Sequence, residues 1–557
     1  MRFLEKYQIP KTPEQRKLNR KNILLGLLSG IMIGISYPPI PLPYLAFVAF
    51  VPYFMVIQKR EGLAEINKFT YFTAFIFNFI TLYWVGGWLP NTDPFLMIAG
   101  TTLLFFNPLV FLIPSTLYFV TKKYVNKNLA LFLFPFFWVT FEFVYSLTDF
   151  KFPWLTLGNT LSYFTNYIQI ADIIGVYGLS ILIIFANISV YKLKSNFNVF
   201  GIIDKKALTS FIIIILIPII YGNYRILSFS SQSENVKVGL IQPNIDPNEK
   251  WQDGNLSEKL DSYFTLSKNT VDKGAKIVIW PETALPVYLL AGNYPNEVDR
   301  IHEFSDSNNI SILTGMPDAN YYYNISTAPK DAKPLNNGKV LYTSYNSILL
   351  FNPNSKEVQK YGKMKLVPFG EKVPLVESLP FLGDWIKWNV GISSWNTGRD
   401  TTIFQAISML EKNKSMVKIG GIICIESIYP IFTSVFVKKG AEFIVVVTND
   451  SWYGDTSGPY QHKEMSVIRA VENKRSVVRA ANGGISCLID PLGKTIKETK
   501  MYTKTTLVVD VPLNSELTFY TKHPWLIPVF ASAISILIIL ISLFIKTKQK
   551  FNRKIYD

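Results

Sequence analysis

The sequence predicts a polytopic α-helical membrane domain joined to a soluble α/β domain, and two observations support this. The first is composition: of 557 residues, 49% are hydrophobic, 15% aromatic and only 17% charged, whereas about 25% are charged in an ordinary globular protein. The second is distribution, because apolar runs fill residues 1–224 and recur at 524–545, while 225–520 has the composition of a soluble domain. So apolar a chain excludes disorder, and two cysteines exclude a disulfide scaffold.

Eight apolar segments come close to the roughly 20 residues that a helix needs to cross a bilayer. They lie at 22–38, 44–58, 70–88, 96–120, 129–147, 168–191, 207–223 and 524–545. The two shortest, 44–58 and 207–223, also fit buried or re-entrant segments. The first follows a basic stretch, as a signal peptide does, but it lacks a convincing small-x-small cleavage site and runs into Tyr37-Pro38-Pro39, which favours an uncleaved anchor.

The net charge of +16 belongs to the membrane part. Within 225–520, Lys and Arg number 32 against 30 Asp and Glu, and the rest of the chain holds 24 against 10. Most of the latter bases cluster in alternate connections, at 1–21, 59–68, 122–127, 192–206 and 546–554. This is the pattern of cytoplasmic loops, so we expect both termini inside and no nucleic-acid partner. The predicted organisation is a cytoplasmic N-terminus (1–21), seven transmembrane helices (22–223), an extracytoplasmic domain (224–520), an eighth transmembrane helix (524–545) and a cytoplasmic tail (546–557).

Inside 225–520, short β-branched runs alternate with helical stretches, which predicts an α/β layered sandwich. The predicted strands are 236–242, 275–280, 310–315, 340–351, 417–424, 442–448, 484–490 and 505–511, and the predicted helices are 254–273, 293–308, 428–439 and 459–481. Two segments, 317–339 and 376–400, fit neither period. The second is rich in tryptophan, which favours contact with the membrane interface or a lid over the site; a packed loop is the alternative.

Three chemically capable side chains follow three of the apolar strands: Glu282, Lys363 and Cys424. Because functional groups of α/β folds gather where strands end, we expect the three to meet. A carboxylate base, a cation that faces an oxyanion and a soft nucleophile are the groups that covalent acyl chemistry needs.

Other polar residues have predicted places as well. Cys487 is predicted to be a core strand residue, with a disulfide to Cys424 as the alternative in an oxidising compartment. Glu142 lies inside a span and is predicted to face the protein interior or the outer interface, since facing lipid would be costly. Three arginines are assigned to the predicted helix 459–481, on a solvated or ion-paired face, with contact to lipid phosphate as the alternative: Arg469, Arg475 and Arg479. The three histidines are too scattered in sequence to predict a multi-histidine metal centre: His302, His462 and His523.

Longer strings surround the three strand-end residues. They are V-x-L-I-Q-P-N-I at 238–245, W-P-E-T-A-L-P at 280–286, Y-x-K-x-x-L-V-P-F-G-E at 361–371, T-N-D-S-W-Y-G-D-x-x-G-P-x-Q-H at 448–462 and D-P-L-G at 490–493. The segments with Glu282, Lys363 and Cys424 resemble the Glu–Lys–Cys motifs of the nitrilase (carbon–nitrogen hydrolase) superfamily. The whole pattern, with Trp138, Glu142 and Phe152-Pro153-Trp154 in the membrane part, resembles one membrane branch, the bacterial apolipoprotein N-acyltransferases.

The resemblance implies a nitrilase-like αββα sandwich on the outer side of the bacterial inner (cytoplasmic) membrane. The implied reaction transfers a fatty acyl chain from a phospholipid to the α-amino group of the N-terminal S-diacylglyceryl-cysteine of a lipoprotein, by a ping-pong route. By the same resemblance Cys424 is the nucleophile, Glu282 the general base and Lys363 the cation at the tetrahedral intermediate. Glu371 and Glu426 match the family's two additional active-site carboxylates.

The resemblance also implies a substrate entrance. Trp251 is similar to the family's tryptophan in a mobile arm, and Trp385 and Trp388 belong to the segment that we expect to shield the thioester. Ile425 departs from the pattern, because the family often has Tyr directly after the cysteine. The chemistry requires no metal and no organic cofactor. A membrane-anchored amidase or nitrilase with the same residues is the alternative function, followed by a non-enzymatic lipid-binding or transport protein.

Overall fold

The structure is a computed structural model that describes residues 12–88, 92, 94–229, 234–246, 256–374, 395–407 and 416–556. Its first part is helical. The helices are α1 (Pro13–Ile35), α2 (Val51–Ile57), α3 (Leu63–Leu82), α4 (Pro94–Val110), α5 (Leu112–Tyr124), α6 (Lys127–Leu147), α7 (Thr165–Ile168), α8 (Ala171–Phe200) and α9 (Lys205–Ser228).

Within the described residues, six helical stretches are long and apolar enough to cross a membrane. They are Leu63–Gly86, Leu96–Tyr124, Lys127–Leu147, Ala171–Val199, Lys205–Ser228 and Leu526–Asn552. Each overlaps a predicted span. The other two predicted spans fall on α1, whose first half is charged, and on Pro43–Ile57, which is a shorter apolar helix. The count of eight spans therefore stays a prediction.

The helix α8 bends where it meets the soluble part of the chain. Gly175 has φ of +61°, and a Cβ at this position would lie 2.4 Å from Cε2 of Tyr520. Only glycine accepts both the left-handed backbone and this close approach. Just after the bend, the main-chain N–H of Val176 donates to Oε1 of Glu472 at 2.7 Å, so the bend docks α8 against the soluble domain.

The soluble part is built on two sheets. Its strands are β1 (Asn235–Gln242), β2 (Ile277–Trp280), β3 (Ser311–Tyr322), β4 (Lys333–Leu335), β5 (Val340–Phe351), β6 (Val358–Gly362), β7 (Ile403–Ile407), β8 (Met416–Ile423), β9 (Phe443–Thr448), β10 (Val477–Ala481), β11 (Cys487–Ile489), β12 (Thr495–Glu498) and β13 (Thr505–Pro512). One sheet has the order β13-β1-β2-β3-β5-β4, with β6 also paired to β5, and the other has the order β12-β11-β10-β9-β8-β7. The centre of each sheet is parallel, β1-β2-β3 in one and β8-β9-β10 in the other.

Helices cover the outer faces of the two sheets. They are α10 (Leu256–Val271), α11 (Pro295–Asn308), α12 (Pro430–Lys438) and α13 (Ser457–Asn473), followed by α14 (Phe519–Lys522) and the C-terminal α15 (Leu526–Tyr556). The first two pack on the β1 sheet and the next two on the β8 sheet, while the sheets face each other through β1 with β10 and β5 with β8. The order of layers is therefore αββα, as predicted.

Several predicted elements need correction. The predicted helix 459–481 ends at Asn473, because Lys474 adopts a left-handed conformation (φ +48°), and the β-branched run that follows forms β10. The predicted strand 484–490 is reduced to the three residues of β11. The segment 317–339 is not irregular throughout, since β3 continues to Tyr322 and pairs along its length with β5.

The helix α13 is buried along nearly its whole length, whereas a surface helix keeps one polar face. It contacts α8 and the short helical turns of the membrane part on one side, and β10 and β11 on the other. One continuous apolar core runs from the membrane helices into the space between the sheets. The two parts of the chain are therefore packed together across α13.

Candidate active site

The structure brings the three strand-end residues together. Glu282 follows β2, Lys363 follows β6 and Cys424 follows β8. The Lys363 ammonium lies 3.5 Å from Oε1 of Glu282, and the charges of both residues act on the Cys424 thiol. The sequence missed β6: the chain leaves β5 and turns back along it, and this antiparallel return brings Lys363 to the site.

Lys363 is held as a buried cation, with its side chain only 1% exposed. Its Nζ lies 2.8 Å from Oε1 of Glu371. Burial alone would lower the pKa of Lys363, but the carboxylates of Glu371 and Glu282 outweigh burial and raise this pKa above its usual range. A fixed positive charge of this kind suits a site where an oxyanion develops.

Asn346 joins the two carboxylates. Its Nδ2 donates to Oε1 of Glu282 at 2.7 Å and to Oε1 of Glu371 at 3.0 Å. The other oxygen of Glu371 accepts from the main-chain N–H of Val367 at 2.8 Å. Glu371 is thus fixed from both sides and orients the Lys363 ammonium.

The backbone at Glu282 depends on a glycine in the neighbouring strand. A Cβ on Gly315 would lie 2.6 Å from Cα of Glu282 and 2.8 Å from the carbonyl oxygen of Pro281. The carbonyl oxygen of Gly315 accepts from the main-chain N–H of Ala284 at 2.7 Å. Because no side chain intervenes, β3 approaches the turn closely enough to hold Glu282 in place.

Cys424 lies at a sharp change of backbone direction. It has φ of +49°, a left-handed conformation that is uncommon for a residue with a side chain, and it opens a 3-10 turn over Cys424–Ile428. The predicted strand 417–424 therefore ends one residue early. Burial raises the pKa of the Cys424 thiol above its usual range, and Glu282 adds to the rise, whereas Lys363 opposes it. The thiol thus needs a base to become a nucleophile.

Glu426 lies beneath the site and accepts four hydrogen bonds. Its Oε1 accepts from the Tyr361 hydroxyl at 2.7 Å and from the main-chain N–H groups of Met364 at 2.7 Å and Lys365 at 3.0 Å. Its Oε2 accepts from the N–H of Ile423 at 2.8 Å. Burial raises the pKa of Glu426 to about 7, although these donors lower it. Glu426 therefore ties the Lys363 loop to the Cys424 turn.

Ile425 is 3% exposed and packs into the continuous core. At this position the side chain contributes packing, with no polar group to offer.

A second polar group lies beside Cys424: the sequence predicts that the segment 449–452 shapes the pocket floor, but sequence reasoning did not pair Asp450 with His462. Nδ1 of His462 lies 2.9 Å from Oδ1 of Asp450, and Nε2 lies 3.0 Å from the carbonyl oxygen of Cys424. The potential ligand atoms of Cys424, Asp450 and His462 lie within 4.8 Å of one another. Both histidine nitrogens are already hydrogen-bonded, and Asp450 is paired with Arg479 at 3.1 Å. The potential metal-ligand atoms of these two residues therefore already have partners within the protein. The string T-N-D-S-W through Q-H was the signal that could have found the group.

The three arginines are not on one solvated helix face. Arg469 lies on α13, Arg475 follows it and Arg479 lies on β10, and all three are among the largest fully buried side chains. Arg469 pairs with Glu472 at 2.8 Å and Arg479 with Asp450 at 3.1 Å, so the ion-paired alternative is correct for these two.

The tryptophan predictions are largely untested. Trp251, Trp385 and Trp388 lie outside the described residues. Trp395, at the end of the segment 376–400, is buried, and its main-chain N–H donates to the carbonyl oxygen of Glu371 at 3.2 Å. The described end of this segment thus packs against the site.

Side chains of the membrane part reach the same region. Gln461, next to His462 on α13, accepts through Oε1 from Nε1 of Trp154 at 2.7 Å and from Nε1 of Trp84 at 3.2 Å. Glu142 is buried and accepts from Nε1 of Trp138 at 2.8 Å. The prediction that Glu142 faces the protein interior is confirmed.

Comparison with known proteins places both parts of the chain. Residues 237–516 match the family described as carbon-nitrogen hydrolase, and residues 29–189 match the apolipoprotein N-acyltransferase N-terminal domain. The chain is 34% identical to the apolipoprotein N-acyltransferase of Chlorobaculum tepidum, across 92% of this chain and 95% of the relative. It is 29% identical to that of Geobacter metallireducens, across 93% and 94%. Among solved structures, an amidase from Nesterenkonia sp. aligns with 51% of this chain and 93% of its own at 16% identity, with a TM-score of 0.35.

Proposed function

The chain belongs to the apolipoprotein N-acyltransferase family, and from that premise we propose how its residues carry out acyl transfer. It is a membrane-associated acyltransferase with a nitrilase-like domain, and lipoproteins are its substrates. The proposal concerns the acyl donor, the roles of the site residues and the arrangement in the membrane. The observation that carries it is the Lys363 ammonium, buried between Glu282 and Glu371 beside the Cys424 thiol.

In the first half-reaction the Cys424 sulfur attacks the ester carbonyl of a phospholipid. Glu282 takes the thiol proton, which the raised pKa of the thiol makes necessary. The negative charge on the carbonyl oxygen is stabilised by Lys363, whose position is set by Glu371. When the carbon–oxygen bond breaks, Glu282 returns the proton to the departing lysophospholipid oxygen. The product is an acyl thioester on Cys424.

In the second half-reaction the α-amine of an S-diacylglyceryl-cysteine attacks the thioester. Glu282 accepts a proton from the amine, Lys363 stabilises the second oxyanion, and the carbon–sulfur bond breaks. The thiolate recovers its proton from Glu282, so the enzyme returns to its starting state and an amide is formed. Splitting the reaction in this way lets two large lipid substrates use one site in turn.

The test separates transfer from hydrolysis, which would use the same residues. Purified protein in detergent is incubated with a phospholipid, and its intact mass is recorded before and after a diacylglyceryl-cysteine peptide is added. We expect one hydroxylamine-sensitive acyl adduct, stable for minutes without the peptide and discharged quickly with it. Rapid release of free fatty acid without the peptide would favour a hydrolase, and turnover of small amides without any adduct would exclude the phospholipid donor.

We also propose that the chain crosses the membrane eight times. The two additional spans would be α1 and Pro43–Ile57, and the boundaries would follow the basic clusters: 1–21 inside, 22–223 in the bilayer, 224–520 outside, 524–545 in the bilayer and 546–557 inside. Reporters active only outside the cytoplasm should then work near 95, 150 or within 225–520, and fail near 64, 125, 200 or 550. A cytoplasmic location of 224–520 would contradict this topology.

A further inference from the structure

The backbone of Cys424 is held in place by neighbours that the acyl-transfer mechanism does not use. A left-handed conformation at a residue with a side chain persists only where the surroundings fix it. At Cys424 (φ +49°) the carbonyl oxygen accepts from the Ser427 hydroxyl at 2.8 Å and lies 3.0 Å from Nε2 of His462. These two contacts hold the carbonyl group of Cys424 in a fixed orientation.

His462 meets hydrogen-bond acceptors at both ring nitrogens. Nε2 lies 2.8 Å from Oγ of Ser427 as well as 3.0 Å from the Cys424 carbonyl. Because the Ser427 hydroxyl gives its hydrogen to that carbonyl, its oxygen is left to accept from the ring. Nδ1 lies 2.9 Å from Oδ1 of Asp450. Nε2 is therefore the donor to the Cys424 carbonyl, since a carbonyl oxygen can only accept.

Asp450 is itself fixed as an acceptor. It accepts from Thr448 Oγ1 at 2.9 Å and from a terminal nitrogen of Arg479 at 3.1 Å; the same nitrogen lies farther away, 3.4 Å, from Nδ1 of His462. Burial would raise the pKa of Asp450, but His462 and Arg479 hold it below its usual value. All these side chains are buried, so bulk water does not compete for their hydrogen bonds.

The same turn of α13 is fixed from the membrane side. Gln461 is bonded to the indoles of Trp84 and Trp154, and the Trp154 ring centroid lies 5.5 Å from that of His462. The contacts therefore run without a break from the membrane helices, through residues 461 and 462, to the carbonyl of Cys424.

We propose that His462 is a positioning residue for the nucleophile. By donating from Nε2 to the Cys424 carbonyl and to Ser427, it holds the left-handed turn that presents the thiol to Glu282 and Lys363, and Asp450 fixes the ring for this task. The inference rests on the proposed function, in which Cys424 is the nucleophile. It adds that the membrane part sets the position of this nucleophile through α13.

Two substitutions of His462 separate this role from simple packing. The amide nitrogen of Gln reaches the place of Nε2, and the amide nitrogen of Asn reaches the place of Nδ1. His462→Gln therefore keeps the bond to Cys424 and loses the one to Asp450, whereas His462→Asn does the reverse. We expect His462→Asn to slow acylation of Cys424 about 100-fold, the effect of a misplaced reacting group, and His462→Gln to stay within about tenfold of the wild-type rate.

The control is His302→Gln, which alters a second buried histidine that packs on Phe351, away from the nucleophile; its acylation rate should not change. Rates are measured by hydroxylamine-sensitive labelling with a fluorescent phospholipid, and thermal stability is measured on the same full-length samples. As a second readout, iodoacetamide alkylation of Cys424 should be slower in His462→Asn than in His462→Gln.

Equal losses in His462→Gln and His462→Asn that follow their losses of stability would overturn the positioning role, as would a wild-type alkylation rate in His462→Asn. Failure of the proposed function is recognised separately, because the wild-type protein would then form no adduct at Cys424. In that case the alkylation order still decides whether His462 positions the thiol.

Discussion

Cys424 follows β8 and Cys487 lies inside β11, and only β9 and β10 separate these two strands in one sheet. Both cysteines are free, so the disulfide alternative is wrong. Burial raises the pKa of both thiols above the usual range, that of Cys487 to about 12. Their surroundings differ: Cys487 is paired in regular strands with Arg479 and Glu498, whereas Cys424 occupies a left-handed turn beside a buried carboxylate and ammonium.

The comparison teaches that burial alone does not make a thiol functional. A buried cysteine in a strand is ordinarily an inert, small apolar side chain. What distinguishes Cys424 is its partial exposure, the turn that breaks the strand, and the two neighbouring groups proposed to take a proton and to stabilise an oxyanion. Each of the following predictions removes one of these differences.

The largest effect is expected from the thiols themselves. Cys424→Ala should abolish thioester formation and transfer, a loss of at least about 10⁴-fold, since removing a nucleophile removes the covalent route. Cys487→Ala should retain transfer within about twofold. Intact mass and a transfer assay measure both, and an adduct that survives in Cys424→Ala would contradict the assignment.

Removing the proposed base should have the next largest effect. Glu282→Gln keeps the shape and removes the proton acceptor, so we expect acylation to fall by about 10²–10⁴-fold. The matched variant beside the other cysteine is Glu498→Gln, which removes the half-exposed partner of the buried Lys463 ammonium. Lys463 keeps its pair with Glu464, so acylation should be unchanged. Single-turnover acylation rates decide the matter; an unaffected Glu282→Gln would exclude Glu282 as the base.

The third prediction concerns the buried charges. Lys363→Met leaves the carboxylates of Glu282 and Glu371 without their cation, and breaking a buried pair costs about 3–5 kcal/mol. We expect a clear fall in melting temperature together with loss of acylation. Adding Glu371→Gln to this variant should recover part of the stability but none of the activity. Recovery of activity in the double variant would mean that Lys363 has only a structural role.

The smallest effect concerns the thiol pKa. Burial is the largest cause of the raised pKa of Cys424, and it persists in Glu282→Gln although the contribution of the Glu282 charge is lost. We therefore expect the thiolate fraction of this variant to stay small at neutral pH and to keep growing above the usual cysteine pKa of about 8.5. Iodoacetamide alkylation of Cys424 in this variant should therefore rise with pH without the plateau that a free cysteine shows near its pKa of about 8.5. Cys487, fully buried, should alkylate only in unfolded protein. A plateau near pH 7 would mean that the net effect on Cys424 is a lowered pKa.

The sequence was informative where chemistry sits at strand ends. Glu282 and Cys424 each follow an apolar strand in the parallel centre of a sheet, one in each of the two facing sheets, and such strand ends are where functional groups gather. Lys363 does not follow this rule, because it comes after the antiparallel strand β6. The strand β10 was missed because its β-branched run directly continues a helical period, and only the left-handed turn at Lys474 separates them.

The histidine was missed for a different reason. His462 reaches Asp450 and Cys424 over 12 and 38 residues of chain, and it does so only after α13 has packed between the sheet and the membrane helices. Its partners are thus fixed by tertiary packing, which no local pattern reports. The burial of the arginines has the same origin, since Arg479 finds Asp450 only when β10 lies beside β9.

The bonds from Trp84 and Trp154 to Gln461 bear on how this enzyme can be studied in the laboratory. An excised soluble fragment covering the two sheets would leave Gln461 and the apolar flank of α13 facing water, next to the turn that holds Cys424. Such a fragment would be prone to aggregate. It would also lack Trp84 and Trp154, whose bonds to Gln461 hold the helix turn next to the Cys424 backbone. Inhibitor screens should therefore use the full-length enzyme in detergent or nanodiscs. There, compounds that bind between α13 and the membrane part can also be found.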